Sequence, residues 1–146
     1  MKAEILAVGT EILLGDIVNT NAQFLAKELA NMGITVQHQA VVGDNPQRLK
    51  EAMEQALSRS DILITSGGLG PTQDDITKEM AAEVFGKKMY PHQESMDRLK
   101  EHFKGRYMAE TNNKQAYMPE GSIVLKNNNG TAPGCIIEEN GKIIIV

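Results

Sequence analysis

The chain carries one cysteine, Cys135, among 146 residues. No intrachain disulfide can form, which fits a reducing cytoplasm better than an exported, disulfide-stapled scaffold. Tryptophan is absent and aromatics reach only 4%, so the core has to be aliphatic. No apolar run approaches the roughly 20 residues of a membrane span. The opening MKAEILAVG is interrupted too early, by Gly9 and Glu11, to act as a signal peptide. A basic excess is missing as well: 15 Lys and Arg against 19 Asp and Glu leave a net charge of −4. Direct nucleic-acid binding therefore has no electrostatic footprint. The remainder is ordinary globular composition, 41% hydrophobic and 23% charged, in a length that suits one domain spanning 1–146.

Apolar runs and helical stripes alternate along the chain. Residues 3–9 and 35–42 read as strands, as do residues 61–65, where Ile62, Leu63 and Ile64 follow Asp61. Between them, residues 21–32 place Phe24, Leu25, Leu29 and Met32 at helical spacing. Asn45 and Pro46 stand as N-cap and first residue of a second helix with Leu49, Met53, Ala56 and Leu57 inward. A third helix follows the glycine loop, with Ile76, Met80, Ala81 and Val84 inward and Gly86 closing it, and a fourth follows Pro91. Later come SIVL (122–125), then CIIE and KIIIV around Asn140-Gly141, a strong hairpin signal. This order predicts an α/β three-layer sandwich, a mostly parallel sheet with helices on both faces and a C-terminal hairpin. The final KIIIV reads as a core strand on which the chain stops, so we expect a piece of a longer protein.

In open parallel sheets ligands collect at the carboxyl ends of strands. Gly9-Thr10-Glu11, Gly43-Asp44, Ser66 to Asp75 and Asn127 to Gly134 all follow strands directly. Within SGGLGPTQDD, three glycines and a proline in five residues exceed what a plain βα turn requires. Ser66, Gly67, Gly68, Gly70 and Thr72 are therefore candidates for holding a phosphate with backbone N–H groups. The stretch matches neither a Walker loop nor a dinucleotide fingerprint.

Asp74 and Asp75 at the same place would repel an anion. Thr72 and Asp75 have capping-box spacing, so at least one acid is accounted for by helix capping. Glu11 is harder to dismiss, because it sits among apolar neighbours. Carboxylates Glu11, Asp44 and Asp75 from three loops would suit a divalent cation such as Mg²⁺, which joins one or two carboxylates to substrate phosphates. The 127–134 loop, NNGTAPG after Asn127, reads equally as a turn or as a clamp through Asn127, Gly130 and Thr131. His38, His92 and His102 lack ligand spacing, and Cys135 reads as a core residue.

GTEILLGDIVNTNAQFLA, VVGDN, TSGGLGPTQDDITKE and NGTAPG, in this order, resemble the N-terminal domain of the competence/damage-inducible CinA family. That domain is part of the wider molybdopterin-binding fold of MoaB, MogA and part of gephyrin. The resemblance covers essentially the whole chain, and Leu69 in GGLGPT is similar to the CinA branch. It implies a metal-dependent hydrolase that splits the pyrophosphate of ADP-ribose into AMP and ribose 5-phosphate. It also implies a homo-oligomer and a following C-terminal amidase-type domain.

Carried over by position, Asp44 and Asp75 match active-site acids of the molybdopterin-binding relatives, and Gly67, Gly68 and Gly70 match the phosphate-side loop. Glu11 and residues 127–134 match CinA-type motifs. Asn128 departs from the pattern, since a proline commonly follows the first Asn. On this expectation Asp75, with Asp44 or Glu11, positions the metal, and Asp74 or Asp44 serves as general base. Two alternatives stay open: a binding module for a pterin phosphate without hydrolysis, and a competence-related interaction domain.

Overall fold

The computed structural model describes all residues, 1–146. In chain order it contains β1 (Lys2–Val8), α1 (Thr10–Leu13), α2 (Thr20–Asn31), β2 (Thr35–Val42), α3 (Pro46–Arg59), β3 (Ile62–Ser66) and α4 (Thr77–Val84). Then follow β4 (Met89–Pro91), α5 (Gln93–His102), a 3₁₀ helix (Glu110–Ala116), β5 (Tyr117–Pro119), β6 (Ile123–Leu125), β7 (Gly134–Glu139) and β8 (Lys142–Ile145). Six strands form one sheet in the order β2-β1-β3-β8-β7-β6. The β2, β1, β3 and β8 neighbours are parallel; β7 runs antiparallel to β8, and β6 antiparallel to β7. The mixed edge follows from the hairpin at Asn140-Gly141, whose φ values of 52° and 73° are those a tight two-residue turn demands.

Strand alternation divides the core between the two faces. Leu6, Val8, Leu63 and Ile144 pack with Leu49, Met53, Ala56 and Leu57 of α3 and Ala81 of α4. Ala3, Ile5, Ile62 and Ile64 pack on the other face with Ala22 and Leu29 of α2. Each fully buried aliphatic side chain of this kind contributes about 1.5–3 kcal/mol. The α3 start is as the sequence predicts: Asn45 accepts the Arg48 N–H at 3.0 Å, with Pro46 in the first turn.

Four local features differ from expectation. Phe24 and Met32 do not belong to the inner stripe of α2; they are 63% and 65% exposed. The buried side is instead Ala22, Leu25, Ala26 and Leu29, where the alanines let the helix lie close to the sheet. The helix after the glycine loop begins at Thr77, not beside Asp74-Asp75. Its start is set by tertiary bonds, Thr77 N–H to Gly68 O at 3.2 Å and Thr77 Oγ1 to Gly67 O at 2.8 Å. The short α1 and the β4–β5 ribbon are additional elements; the ribbon pairs MYP with YMP, prolines included.

Candidate functional site

Strand order reverses between β1 and β3. From β1 the chain passes to β2 on one side, then crosses back to β3 on the other. The crevice outside their carboxyl ends is the position where open α/β sheets bind ligands. There the backbone packs so closely that glycine is obligatory: a Cβ on Gly67, at φ 111°, would lie 2.0 Å from Val8 O. On Gly68 it would lie 2.1 Å from Thr77 Oγ1, and on Gly70 2.5 Å from Asp75 Oδ2. Close packing thus accounts for all three glycines. What it leaves behind is chemical: the N–H groups of Gly67, Gly68 and Leu69 donate to no protein acceptor, although Gly68 and Leu69 are half-buried. Ser66 is fixed beside them by Asn21 Nδ2, which donates to its Oγ at 2.9 Å.

Each acid of the rim is held within its loop. Asp75 Oδ2 accepts the Thr72 N–H at 3.0 Å and Thr72 Oγ1 at 2.6 Å. Partial burial pushes this carboxyl up, but Thr72, the Gly70 N–H and the charge of Lys114 outweigh it, and the group lies below the usual carboxylate range. Thr72 and Asp75 therefore close a turn ahead of the helix rather than capping it. Asp44 Oδ2 accepts both the N–H and the hydroxyl of Thr10, at 3.0 and 2.8 Å. The Glu11 carboxylate folds back over Gly9, where a Cβ would come within 2.5 Å of its Oε1. Asp74 is exposed and makes no hydrogen bond. Glu11, Asp44 and Asp75 do not form a cage: no group of three His, Cys, Asp or Glu side chains stands close enough to hold a metal ion.

The positive charge that the acids call for comes from a residue that sequence reasoning missed. Lys114 Nζ donates to Thr72 O at 3.0 Å and stands 3.5 Å from Glu79 Oε1. Its neighbour Gln115 reaches Leu69 O at 3.5 Å, and the buried Lys78 donates to Gln115 O at 2.7 Å. The 3₁₀ helix is thus pinned beneath the glycine loop by contacts 37 to 46 residues apart. Only the unusual Lys78 inside an apolar helical stripe could have hinted at this. Burial lowers the Lys78 ammonium, and burial raises the Cys135 thiol to about 11, which makes it inert as a nucleophile.

The 126–133 loop follows β6, which runs in the same direction as β3, so it shares the rim. Yet β8 and β7 intervene, and three strand spacings amount to about 14 Å. Asn127 spends its amide on its own loop, donating to Ala132 O and accepting the Asn129 N–H, both at 2.9 Å. Arg98 of α5 ties the loop down from below, through Asn127 O at 3.2 Å and Asn128 Oδ1 at 3.3 Å. Asn127, Gly130 and Thr131 line a cavity of about 460 Å³ between this loop and α5, separate from Ser66 to Asp75.

A three-layer α/β sheet with a glycine-rich loop and flanking acids at its switch point is the arrangement in which open α/β domains place a ligand site. The family model described as "Probable molybdopterin binding domain" matches residues 4–146. A "Putative competence-damage inducible protein" of Clostridioides difficile is 64% identical over the whole chain, and a "CinA-like protein" of Kosmotoga olearia is 60% identical. The chain spans about a third of the length of these curated relatives, 35% and 36% respectively. The crystal structure of CinA from Thermoplasma acidophilum superposes with a TM-score of 0.91 at 36% identity, covering 99% of this chain and 85% of that one. The MoaB structure from Thermus thermophilus gives 0.63 at 19% identity over 99% of this chain and 78% of that one, and so speaks for the fold alone. The chain belongs to the molybdopterin-binding domain family and, within it, to the CinA-type proteins. No helix is long and apolar enough to cross a membrane.

Proposed function

We propose that this domain hydrolyses the pyrophosphate of an ADP-ribose-type nucleotide to AMP and ribose 5-phosphate. The observation that carries the reading is the row of three unpaired N–H groups, Gly67 to Leu69, beside an ionised Asp75. Half-buried N–H groups without partners are costly unless water or an anion takes them. A phosphate oxygen is the acceptor that such a loop is shaped to hold. Lys114 offsets the local negative charge.

In the reaction, a water oxygen attacks one phosphorus and the bridging P–O bond breaks, so that each product leaves with one phosphate. The glycine-loop N–H groups hold the phosphoryl oxygens where charge accumulates. Asp44 or the exposed Asp74 accepts the proton from the water, while Asp75, held by Thr72, would place its carboxylate charge beside the cation that accompanies the substrate phosphates. A divalent cation belongs to this reading as a companion of the substrate phosphates rather than a resident of a protein cage; it supplies charge neutralisation. In the whole protein, the same reading includes a homo-oligomer and a following amidase-type domain.

The second reading, a binding module for a pterin phosphate, is favoured by the family description. Asp75→Asn separates the two. Under hydrolysis, AMP release measured by chromatography falls by about 100-fold or more while ligand affinity changes little. Under the binding reading, wild type and variant bind alike and neither releases AMP.

A further inference from the structure

We propose that Lys78 is a positioning residue for the glycine loop. Through the 3₁₀ helix it keeps the loop in its anion-holding shape, and its buried charge finds a counter-charge only when a pyrophosphate sits on that loop. The proposal rests on the phosphate reading of the loop given above and names the residue that tunes it.

In a planar trans peptide the C=O and the following N–H point in opposite directions. A loop therefore turns N–H groups to the rim only where the preceding carbonyls are held on the other side. Thr77 holds two of them directly, its hydroxyl donating to Gly67 O at 2.8 Å and its N–H to Gly68 O at 3.2 Å. This aims the N–H groups of Gly68 and Leu69 away from α4. The carbonyls of Leu69 and Thr72 face the 3₁₀ helix instead. Gln115 Nε2 lies 3.5 Å from the first, and Lys114 Nζ donates to the second at 3.0 Å. The 3₁₀ helix is itself fastened by Lys78, the residue after Thr77, whose ammonium donates to Gln115 O at 2.7 Å. One turn of α4 thus sets both halves of the loop.

Lysine is a costly choice for that fastening. The residue is 3% exposed, and it stands in the first turn of α4, where the helix dipole disfavours a cation. Its one hydrogen-bond acceptor is a neutral carbonyl. The charges around it are Glu79 on its own helix and Lys114 from the 3₁₀ helix, and the Cys135 thiol of β7, raised to about 11, is neutral. Glu79 is engaged with Lys114 at 3.5 Å, so the Lys78 charge is the one left without a counter-ion. Burial lowers its ammonium accordingly. Methionine would fill the same space without that desolvation cost. A ligand bringing two or more negative charges to the adjacent loop offsets it, which is the chemistry of a pyrophosphate.

The test is a titration of the 146-residue chain with inorganic pyrophosphate, followed by ¹H–¹⁵N NMR of the loop amides and by the Lys78 side-chain resonances across pH. Pyrophosphate is expected to shift Gly68 and Leu69 and to raise the Lys78 pKa, because a nearby anion favours the charged form. Lys78→Met should weaken pyrophosphate binding at least tenfold, while its thermal midpoint at pH 7 stays level with wild type or rises. Lys78→Arg should restore affinity to within threefold. Gln115→Met, which removes the Leu69 contact and keeps the buried charge, should weaken binding about threefold. An affinity within twofold of wild type in Lys78→Met, a Lys78 pKa unmoved by pyrophosphate, or a loss of affinity matched by a fallen midpoint would overturn the assignment. So would a wild type that binds no pyrophosphate. Hydrolysis is read separately: a chain that shows these variant effects on binding but releases no AMP from ADP-ribose loses the hydrolase reading and keeps this one.

Discussion

Thr10 and Asp44 grip one another from both directions. The Thr10 hydroxyl donates to Asp44 Oδ2 at 2.8 Å and accepts the Asp44 N–H at 3.2 Å, locking the loop after β1 to the loop after β2. Because the pair is exposed, its net value is modest. Thr10→Ala should lower stability in urea denaturation by about 1 kcal/mol, and weaken ligand binding more than a change of that size elsewhere would, because Asp44 loses its anchor.

Asp75 predicts a pH signature. Its folded pKa is lowered: burial opposes the shift, and the bonds from Thr72, the Gly70 N–H and Lys114 produce it. The stability it contributes is present above the unfolded value of about 3.9 and is lost as pH falls through the lower, folded one. The difference in stability between wild type and Asp75→Asn, followed by thermal melts, should be largest near neutrality and shrink steadily below about pH 4.

Gly67 and Gly130 form a contrast. Alanine at 67 would bring a Cβ to 2.0 Å from the Val8 carbonyl at a left-handed φ. The cost should reach about 3 kcal/mol or more, read as a depressed denaturation midpoint. Alanine at 130 meets only the Asn127 amide, at 3.0 Å and with no left-handed φ; a shift of a few tenths of an ångström at its bond to Ala132 O relieves the contact, and the cost should stay near about 1 kcal/mol.

Lys78 is buried with a lowered pKa, the result chiefly of desolvation. A lysine whose folded value lies below its unfolded one leaves the unfolded chain binding more protons between the two. Stability should therefore rise with pH in the window below about 10.4. Lys78→Met should abolish that rise. It should also loosen the 3₁₀ helix under the glycine loop, seen as faster amide hydrogen exchange at Gln115 and Ala116.

Much of the fold was legible because its signals are local. Asn45-Pro46 specifies a helix start, and Asn140-Gly141 a hairpin, with little help from the rest of the chain. Where local and distant chemistry compete, the sequence misleads. Thr72 and Asp75 have the spacing of a capping box, yet Thr77 starts the helix because it is tethered to Gly67 and Gly68. Phe24 and Met32 keep helical spacing, but two alanines allow a neighbouring stripe to pack closer. The glycine loop and its acids could be placed on the rim from strand order alone. Lys114, Gln115 and Arg98 could not, since their partners lie 29 to 46 residues away and nothing periodic marks them.

The most direct test of the central claim is incubation of the purified 146-residue chain with ADP-ribose and Mg²⁺, beside the Asp75→Asn variant, with products separated by chromatography. The account predicts equimolar AMP and ribose 5-phosphate from the wild type and a loss of about 100-fold or more in the variant. A folded wild type that binds ADP-ribose but releases no AMP would contradict hydrolysis and leave the phosphate-binding module as the function of this site.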